Sequence, residues 1–403
     1  MRIPEYPTVR ELKHLSPSLY EAALACKARA AWIAFGERDV VPAHPRALLG
    51  ISVHAVIEKA SDGALPEGDP GSRRVAAREI FDRKTAEIFE QAHPLLRAKF
   101  AAPERLPFYF LFRERAALLA VETTTLTGIP ESAAAVPVQG RTADLTALVE
   151  RTLQSRDGLL VGRPDYVDAT AGEVIDYKTG VGPEDDPEGL RESEARQLRL
   201  YVHLAREAGL AIKRGAVLRA DGRRVQLSVS EADAAAEGQR AREALLAFNA
   251  QAAVGFERLA EPSPESCRYC PCIPFCNAFW RQATAGWAEP CGTHVEGTVS
   301  GVSRSVVQNT ALVTLELAAR HGTIAPGPAV LQQLPERWAC ADGAPPPEVG
   351  DVIRIVNCRL VDGSQDVALL RPDRLTTALW TVRLAASPSA EKGAVGSGGG
   401  NSG

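Results

Sequence analysis

Along the first part of the chain, apolar residues recur at the three- and four-residue spacing of helices, and then the period falls towards two. In SPSLYEAALACKARAAWIAFG, Leu19, Ala23, Cys26 and Ala30 form one stripe behind Ser16, whose hydroxyl can cap a helix. The segment reads as one continuous helix. PRALLGISVHAVIEKA reads as a second, with Pro45 near its start. A third runs from about Ser72 to Ala92 and stops before Pro94, and a fourth occupies the region around 111–126. The stretch TALVERTLQSRDGLLVGRPDYVDATAGEVIDYKTG has turn residues at Arg156–Gly158 and Ala169–Gly172, and reads as three strands. An acidic, proline-containing loop (182–189) follows, then a helix with Leu198, Tyr201 and Leu204 on its apolar stripe. A hairpin turned at Asp221–Gly222 leads into an alanine-rich helix that Ser230 caps and that extends to about residue 254. This order implies an α/β core with a helical N-terminal part.

From about 291 to 380 short strands dominate, with turn residues between them: THVEGTVSGV, TALVTLELAA, EVGDVIRIVNCRL and SQDVALLRPDRL. That pattern predicts an all-β unit compatible with a small five-stranded barrel of the OB type. The expected division is a first domain over 1–285, an OB-like domain over 290–382, and a low-complexity, disordered tail over 383–403.

Composition narrows the function classes only a little. A net charge of −4 does not mark the chain as a polyanion binder, so any basic surface has to be local. With neither an apolar run of membrane-spanning length nor an apolar signal core at the start, the expectation is a cytoplasmic protein without a membrane partner.

The candidate chemistry lies at LLVGRPDYVDATAGEVIDYK, residues 159–178. Read as a hairpin, it brings Asp165 near Asp176 and Lys178. Residues two apart on a strand share a face, so Asp176 and Lys178 point together and Tyr177 points into the opposite layer. Two carboxylates suit Mg²⁺ or Mn²⁺, and a nearby ammonium can orient a water and help remove its proton. An isolated Asp-x-Lys is common, and from these residues alone a surface charge pair is the better reading.

The surrounding pattern resembles the RecB-like branch of the PD-(D/E)xK nucleases. Its Gly-x-x-Asp motif is matched by GRPD (162–165) and its Asp/Glu-x-Lys motif by IDYK. The downstream Gln-x-x-x-Tyr is matched by Gln197 and Tyr201, and the upstream Gly-x-x-x-His-x-x-x-Glu by Gly50, His54 and Glu58. Glu150 stands where the family has an acidic residue on the preceding strand. The resemblance implies a restriction-endonuclease-like core in which Asp165, Asp176, His54 and the backbone carbonyl of Tyr177 hold the metal. Lys178 would act on the water, and Gln197 and Tyr201 would support the site or contact DNA.

Cys267, Cys270, Cys272 and Cys276 lie within ten positions, a clustering that reads as a metal site in an intracellular protein. Four local thiolates would make a zinc knot; three of them with Cys26 would make a different site. A subset of the resembled family, including AddB-type nuclease domains and CRISPR spacer-acquisition exonucleases, has one cysteine before the core and three after it around a [4Fe–4S] cluster. That implies a structural staple from Cys26, Cys267, Cys270 and Cys276, with Cys272 left over and Zn²⁺ as the alternative.

Arginines crowd the segment after the motif, at 191, 196, 199, 214, 219, 223 and 224. Arg196, Arg199, Arg223 and Arg224 are the expected phosphate contacts, against the plainer reading of a solvated basic face. The aromatic supply of the β unit is thin, Trp338 and Trp380. The expectation is a metal-dependent nuclease acting on single-stranded or end-bearing DNA in repair, recombination or anti-phage defence, beside a separate helicase or defence subunit. The alternative is a non-cleaving DNA-binding or scaffold subunit of such a complex.

Overall fold

The computed structural model describes residues 1–37, 40–67, 69–127, 147–149, 151–178, 189–219, 223–341, 343–361 and 366–382. Glu150, most of the acidic loop, the Asp221–Gly222 turn and the 383–403 tail lie outside the described residues.

The N-terminal helices are α1 (Pro17–Ala25), α2 (Lys27–Phe35), α3 (Pro45–Ser61), α4 (Pro70–Gln91), α5 (Pro94–Phe100) and α6 (Tyr109–Thr127). Four of them open on proline at the first or second position, where the missing N–H costs nothing. Ser16 caps α1, and Asp69 caps α4 by accepting from the amides of Gly71 and Ser72. The helix expected through Cys26 is broken: Cys26 is extended, at φ −169° and ψ 123°, and separates α1 from α2. Its sulfur accepts the Glu261 amide hydrogen at 3.4 Å, a tertiary contact that helix propensity does not contain.

The strands of the core are β1 (Ala147–Val149), β2 (Leu153–Gln154), β3 (Val161–Gly162), β4 (Tyr166–Asp168), β5 (Glu173–Lys178), β6 (Arg214–Arg219) and β7 (Arg224–Ser228). Between β5 and β6 lies α7 (Glu192–Glu207), and after β7 comes α8 (Glu231–Asn249). The sheet order is β1-β4-β5-β6-β7; β5 and β6 run parallel and the other pairs antiparallel. The region expected to form three strands forms five, because both the first strand and the first arm of the hairpin are divided. Pro164 has no N–H to donate to a ladder, so β3 ends at Gly162 and pairs with β2, while β4 starts at Tyr166 and pairs with β5.

Side chains of β5 alternate between two apolar layers. Ile175 and Tyr177 pack with the α3, α4 and α6 side, and Val174 packs with the α1, α7 and α8 side. Asp176 and Lys178 share the parity of Val174 and therefore face α7. The helix sits close to the sheet because two glycines permit it. A Cβ on Gly162 would lie 2.7 Å from Leu204 Cδ1 and 3.0 Å from Tyr201 Cε1, and one on Gly215 would lie 2.9 Å from Leu198 Cβ.

Short helices α9 (Pro264–Cys267), α10 (Asn277–Gln282) and α11 (Ala288–Cys291) carry the chain to the β unit. There β8 (Thr293–Val307), β9 (Thr310–Gly322), β10 (Gly327–Pro335), β11 (Val352–Val361), β12 (Ala368–Pro372) and β13 (Ala378–Val382) form one sheet, with α12 (Glu336–Ala339) after β10. Its pairings run β8–β9–β10–β12–β11–β8, a ring of five strands, and β13 adds to β11 as a sixth. Val295, Leu315, Leu331, Ile353 and Leu370 fill the ring.

The ring is not a separate bead. Val356, Ala378 and Trp380 join the apolar layer of α1, α7 and α8. Arg354 of β11, 5% exposed, pairs with Glu296 and donates to the Pro274 carbonyl and to Asn277 Oδ1. Trp380 is fully buried and Trp338 packs against the core, so neither of the two tryptophans is an exposed stacking platform. Among the described residues no helix is long and apolar enough to cross a membrane.

Candidate active site and cysteine pocket

Asp165 stands between Pro164 and the first residue of β4, 8% exposed. Its Oδ2 accepts the amide hydrogen of Tyr177 at 2.6 Å, which fixes the loop before β4 against the end of β5. Its Oδ1 lies 3.3 Å from Nδ1 of His54, half-exposed on α3. Asp176 on β5 is 4% exposed, and the Lys178 ammonium is 2.7 Å from its Oδ2 as an ion pair. The ammonium holds that buried oxygen by its charge and favours the ionised carboxyl.

Gln197 joins the pair to α7. Its Oε1 accepts from Lys178 Nζ at 2.9 Å, and its Nε2 donates to Asp176 Oδ1 at 3.1 Å and to the Tyr201 hydroxyl at 3.1 Å. An ammonium can only donate and an ionised carboxylate only accept, so one orientation of the amide satisfies both. The Tyr201 hydroxyl then donates to the Arg163 carbonyl at 3.2 Å. The spacing of Gln197 and Tyr201 by one helical turn puts both on the face that looks at β5. The structure thus brings together His54, Asp165, Asp176, Lys178, Gln197 and Tyr201, from three separate parts of the chain.

Burial pushes the Asp176 carboxyl up to about 6; the neighbouring Lys178 charge opposes that shift and Asp165 adds to it. Two carboxylates side by side, one of them buried, are the donor chemistry that a divalent cation takes. The oxygen-rich donor set fits Mg²⁺ or Mn²⁺. Among the described residues no three His, Cys, Asp or Glu side chains are grouped as a ready-made ligand set, at this site or among the cysteines, so the fit here rests on this pair of carboxylates together with non-carboxylate donors. The Tyr177 side chain itself lies in the opposite layer, where its hydroxyl is 3.4 Å from Thr123 Oγ1 and burial raises it to about 12.

The arginines of the expected phosphate channel are engaged by carboxylates of the protein. Arg196 makes a two-nitrogen pair with Glu21, Arg199 pairs with Glu192, and Arg224 pairs with the buried Glu173, which also receives Arg214. Arg219 is fully buried against Glu194 and the Gly189 carbonyl, which corrects its reading as part of a basic surface. Arg223 stands at the start of the β7 arm, part-buried. The sequence reading passed over Arg163, inside GRPD, whose guanidinium is 3.3 Å from Glu58. The signal was present: a charged residue inside the motif and a carboxylate one turn beyond His54.

Cys26, Cys267, Cys270, Cys272 and Cys276 line one small pocket, joined by Arg29. The break between α1 and α2 therefore delivers Cys26 to the downstream four. Cys272, expected to stand apart, is 2% exposed in the same pocket and is hydrogen-bonded to Cys270. Burial pushes the Cys267 thiol up to about 12 and Cys276 up to about 11, while the hydrogen bond from Cys272 holds Cys270 low. Two observations fit a negatively charged thiolate site: the Nε of Arg29 is buried without a hydrogen-bond partner, and Cys26 already accepts an N–H···S bond. Cys291 and Cys358 are buried apart from this pocket and Cys340 is part-buried.

Residues 14–277 match the PD-(D/E)XK nuclease superfamily, and the chain belongs to it. No curated protein matches the sequence. Members of the superfamily are generally nucleases, typically use Mg²⁺ or Mn²⁺, and have DNA as substrate.

Proposed function

We propose that this chain is a metal-dependent deoxyribonuclease that hydrolyses phosphodiester bonds in single-stranded or end-bearing DNA. The observation that carries the reading is the linked set Asp165–Asp176–Lys178–Gln197, buried at the end of β5 beneath α7. Asp165 and Asp176 would hold the divalent cation, with His54 and the Tyr177 carbonyl as further ligands. Such an ion supplies charge neutralisation of the phosphate and its leaving oxygen. Lys178, as an ammonium, would orient the attacking water by donating to its oxygen and favour its hydroxide form, the proton passing to solvent; Gln197 holds Lys178 against Asp176, and Tyr201 holds Gln197. The cysteine pocket, in the same reading, takes a structural [4Fe–4S] cluster from Cys26, Cys267, Cys270 and Cys276, with Zn²⁺ as the other candidate. The five-strand ring of the β unit supports an OB-like module, whose buried tryptophans favour a docking or structural task over base stacking.

Incubation of the full-length chain with labelled single- and double-stranded DNA and Mg²⁺ or Mn²⁺ tests the activity. Cleavage is expected to fall at least about 10³-fold in Lys178→Ala, a loss in the range of removing one positioned charge at a reacting group. If no metal supports cleavage, and Lys178→Ala leaves DNA binding unchanged, the chain is instead a non-cleaving DNA-binding subunit.

A further inference from the structure

We propose that Arg163 is the phosphate clamp at the mouth of this site and that Glu58 is the residue that positions it. The proposal rests on the nuclease reading above. Arg163 is fixed at both ends of its backbone neighbourhood. Its carbonyl accepts the Tyr201 hydroxyl, and two residues later Asp165 is pinned by the Tyr177 amide. The guanidinium then reaches across to α3, where Nη2 lies 3.3 Å from Glu58 Oε1. Glu58 is one helical turn beyond His54, and His54 is 3.3 Å from Asp165. The Arg163–Glu58 pair therefore spans from the α7 side of the site to the α3 side, next to the paired carboxylates.

Exposure of both partners separates this pair from the arginines that hold buried or part-buried carboxylates. The Arg163 side chain is 53% exposed and Glu58 45% exposed, whereas Arg219 is sealed inside the fold and Arg196 and Arg224 hold half-buried or buried carboxylates. The attraction between these two exposed groups is screened by solvent, so the Glu58 contact itself is weak. A DNA phosphate carries a full charge and two oxygens for the guanidinium fork, so it displaces the Glu58 carboxylate. In the free protein Glu58 keeps the guanidinium over the mouth and limits the conformers it must give up on binding. The backbone phosphate adjacent to the scissile one is the chemical group this arrangement recognises, without regard to base.

The test uses the full-length chain and a fluorescently labelled single-stranded oligonucleotide. Binding is measured in EDTA across a series of KCl concentrations, and cleavage kinetics are measured with Mn²⁺. Arg163→Ala is expected to weaken binding about tenfold and to reduce the slope of log affinity against log salt by about 0.7, the share of one phosphate on a single strand. Its KM rises more than its kcat falls, Arg163→Lys recovers the salt slope, and Glu58→Gln keeps the slope while weakening binding less. An unchanged slope and KM in Arg163→Ala overturns the proposal, as does the absence of salt-dependent binding by the wild type. A purely structural role for the pair would lower the melting temperature of Arg163→Ala with no change in slope, and that result overturns it as well. Normal slope loss with no cleavage by the wild type sinks the nuclease reading and leaves the phosphate contact standing.

Discussion

Asp176 carries an electrostatic burden that the fold tolerates for the sake of the site. Its carboxyl is raised to about 6 from the usual carboxylate range, chiefly by burial. The folded protein therefore holds a proton there that the unfolded chain has lost, between roughly pH 4 and 6. Over that window stability falls as pH rises, and above it the full penalty remains. Asp176→Asn removes the charge and is expected to melt higher than the wild type at pH 8, with a gain on the order of 1 kcal/mol that fades below pH 4. Added Mn²⁺ is expected to raise the wild-type melting temperature at pH 8 and to leave Asp176→Asn nearly unmoved. Calorimetry at the two pH values, with and without the ion, checks both statements. A variant no more stable than the wild type at pH 8 would show that the Lys178 pair fully offsets the burial.

At this scale much of the site is legible in sequence, because strand parity and helical spacing translate directly into direction. Asp176 and Lys178 two apart, and Gln197 and Tyr201 four apart, need only their element type to be known before their faces are fixed. What the spacing does not contain is the distant partner of each charge. Arg196 lies on the motif helix α7 itself, next to Gln197, yet its two-nitrogen partner is Glu21 on α1. Arg224 reads as a surface hairpin residue, yet it closes on Glu173 at the start of β5.

Among elements, α7 has the narrowest tolerance. It joins two parallel strands and it also supplies Gln197 and Tyr201, so its height above the sheet sets the geometry of the site. Gly162 allows that height, since a methyl there would meet both Leu204 and Tyr201. Gly162→Ala is expected to cost about 1–3 kcal/mol of stability from overpacking. It is also expected to lower cleavage more than the melting shift accounts for, because the displaced ring is the one that anchors Gln197. Comparing kcat with the unfolding midpoint separates the two effects, and Leu204→Ala in the same chain should restore part of the packing. The requirement explains the first residue of GRPD by contact alone, with no left-handed backbone involved. Two element-level features escape a local reading for physical reasons: Pro164 divides an otherwise strand-like run, and Cys26 is pulled out of a helix by a residue 235 positions later.

At the scale of the whole molecule, the cysteine pocket and the β ring tie the chain ends to the core through one short segment. Pro274 and Asn277 flank Cys276 in that segment, and both are held by Arg354. On the proposed reading of the cysteine pocket, Cys26→Ser is expected to purify with less iron or zinc than the wild type, with the visible absorbance near 400 nm lost too where the metal is a cluster. Closing a loop of this length is worth at most about 5 kcal/mol, so the variant is also expected to melt well below the wild type. Full metal content and an unchanged melting point would instead place all the ligands among Cys267, Cys270, Cys272 and Cys276.

The break at Cys26 also sets an order of events in time. Cys276 is the last thiol of the pocket to be synthesised, about 250 residues after Cys26, which at bacterial or eukaryotic translation speeds is a delay of roughly 10–50 s. During that interval nothing holds Cys26 out of the alanine-rich helix that the local sequence favours, and α1 and α2 are free to form as one rod. The bend between them becomes worthwhile only when the downstream contacts of Cys26, with the Glu261 amide and the later cysteines, can be made. A chain stopped before Glu261 lacks the amide that Cys26 Sγ accepts, and in it α1 and α2 are expected to join as one helix.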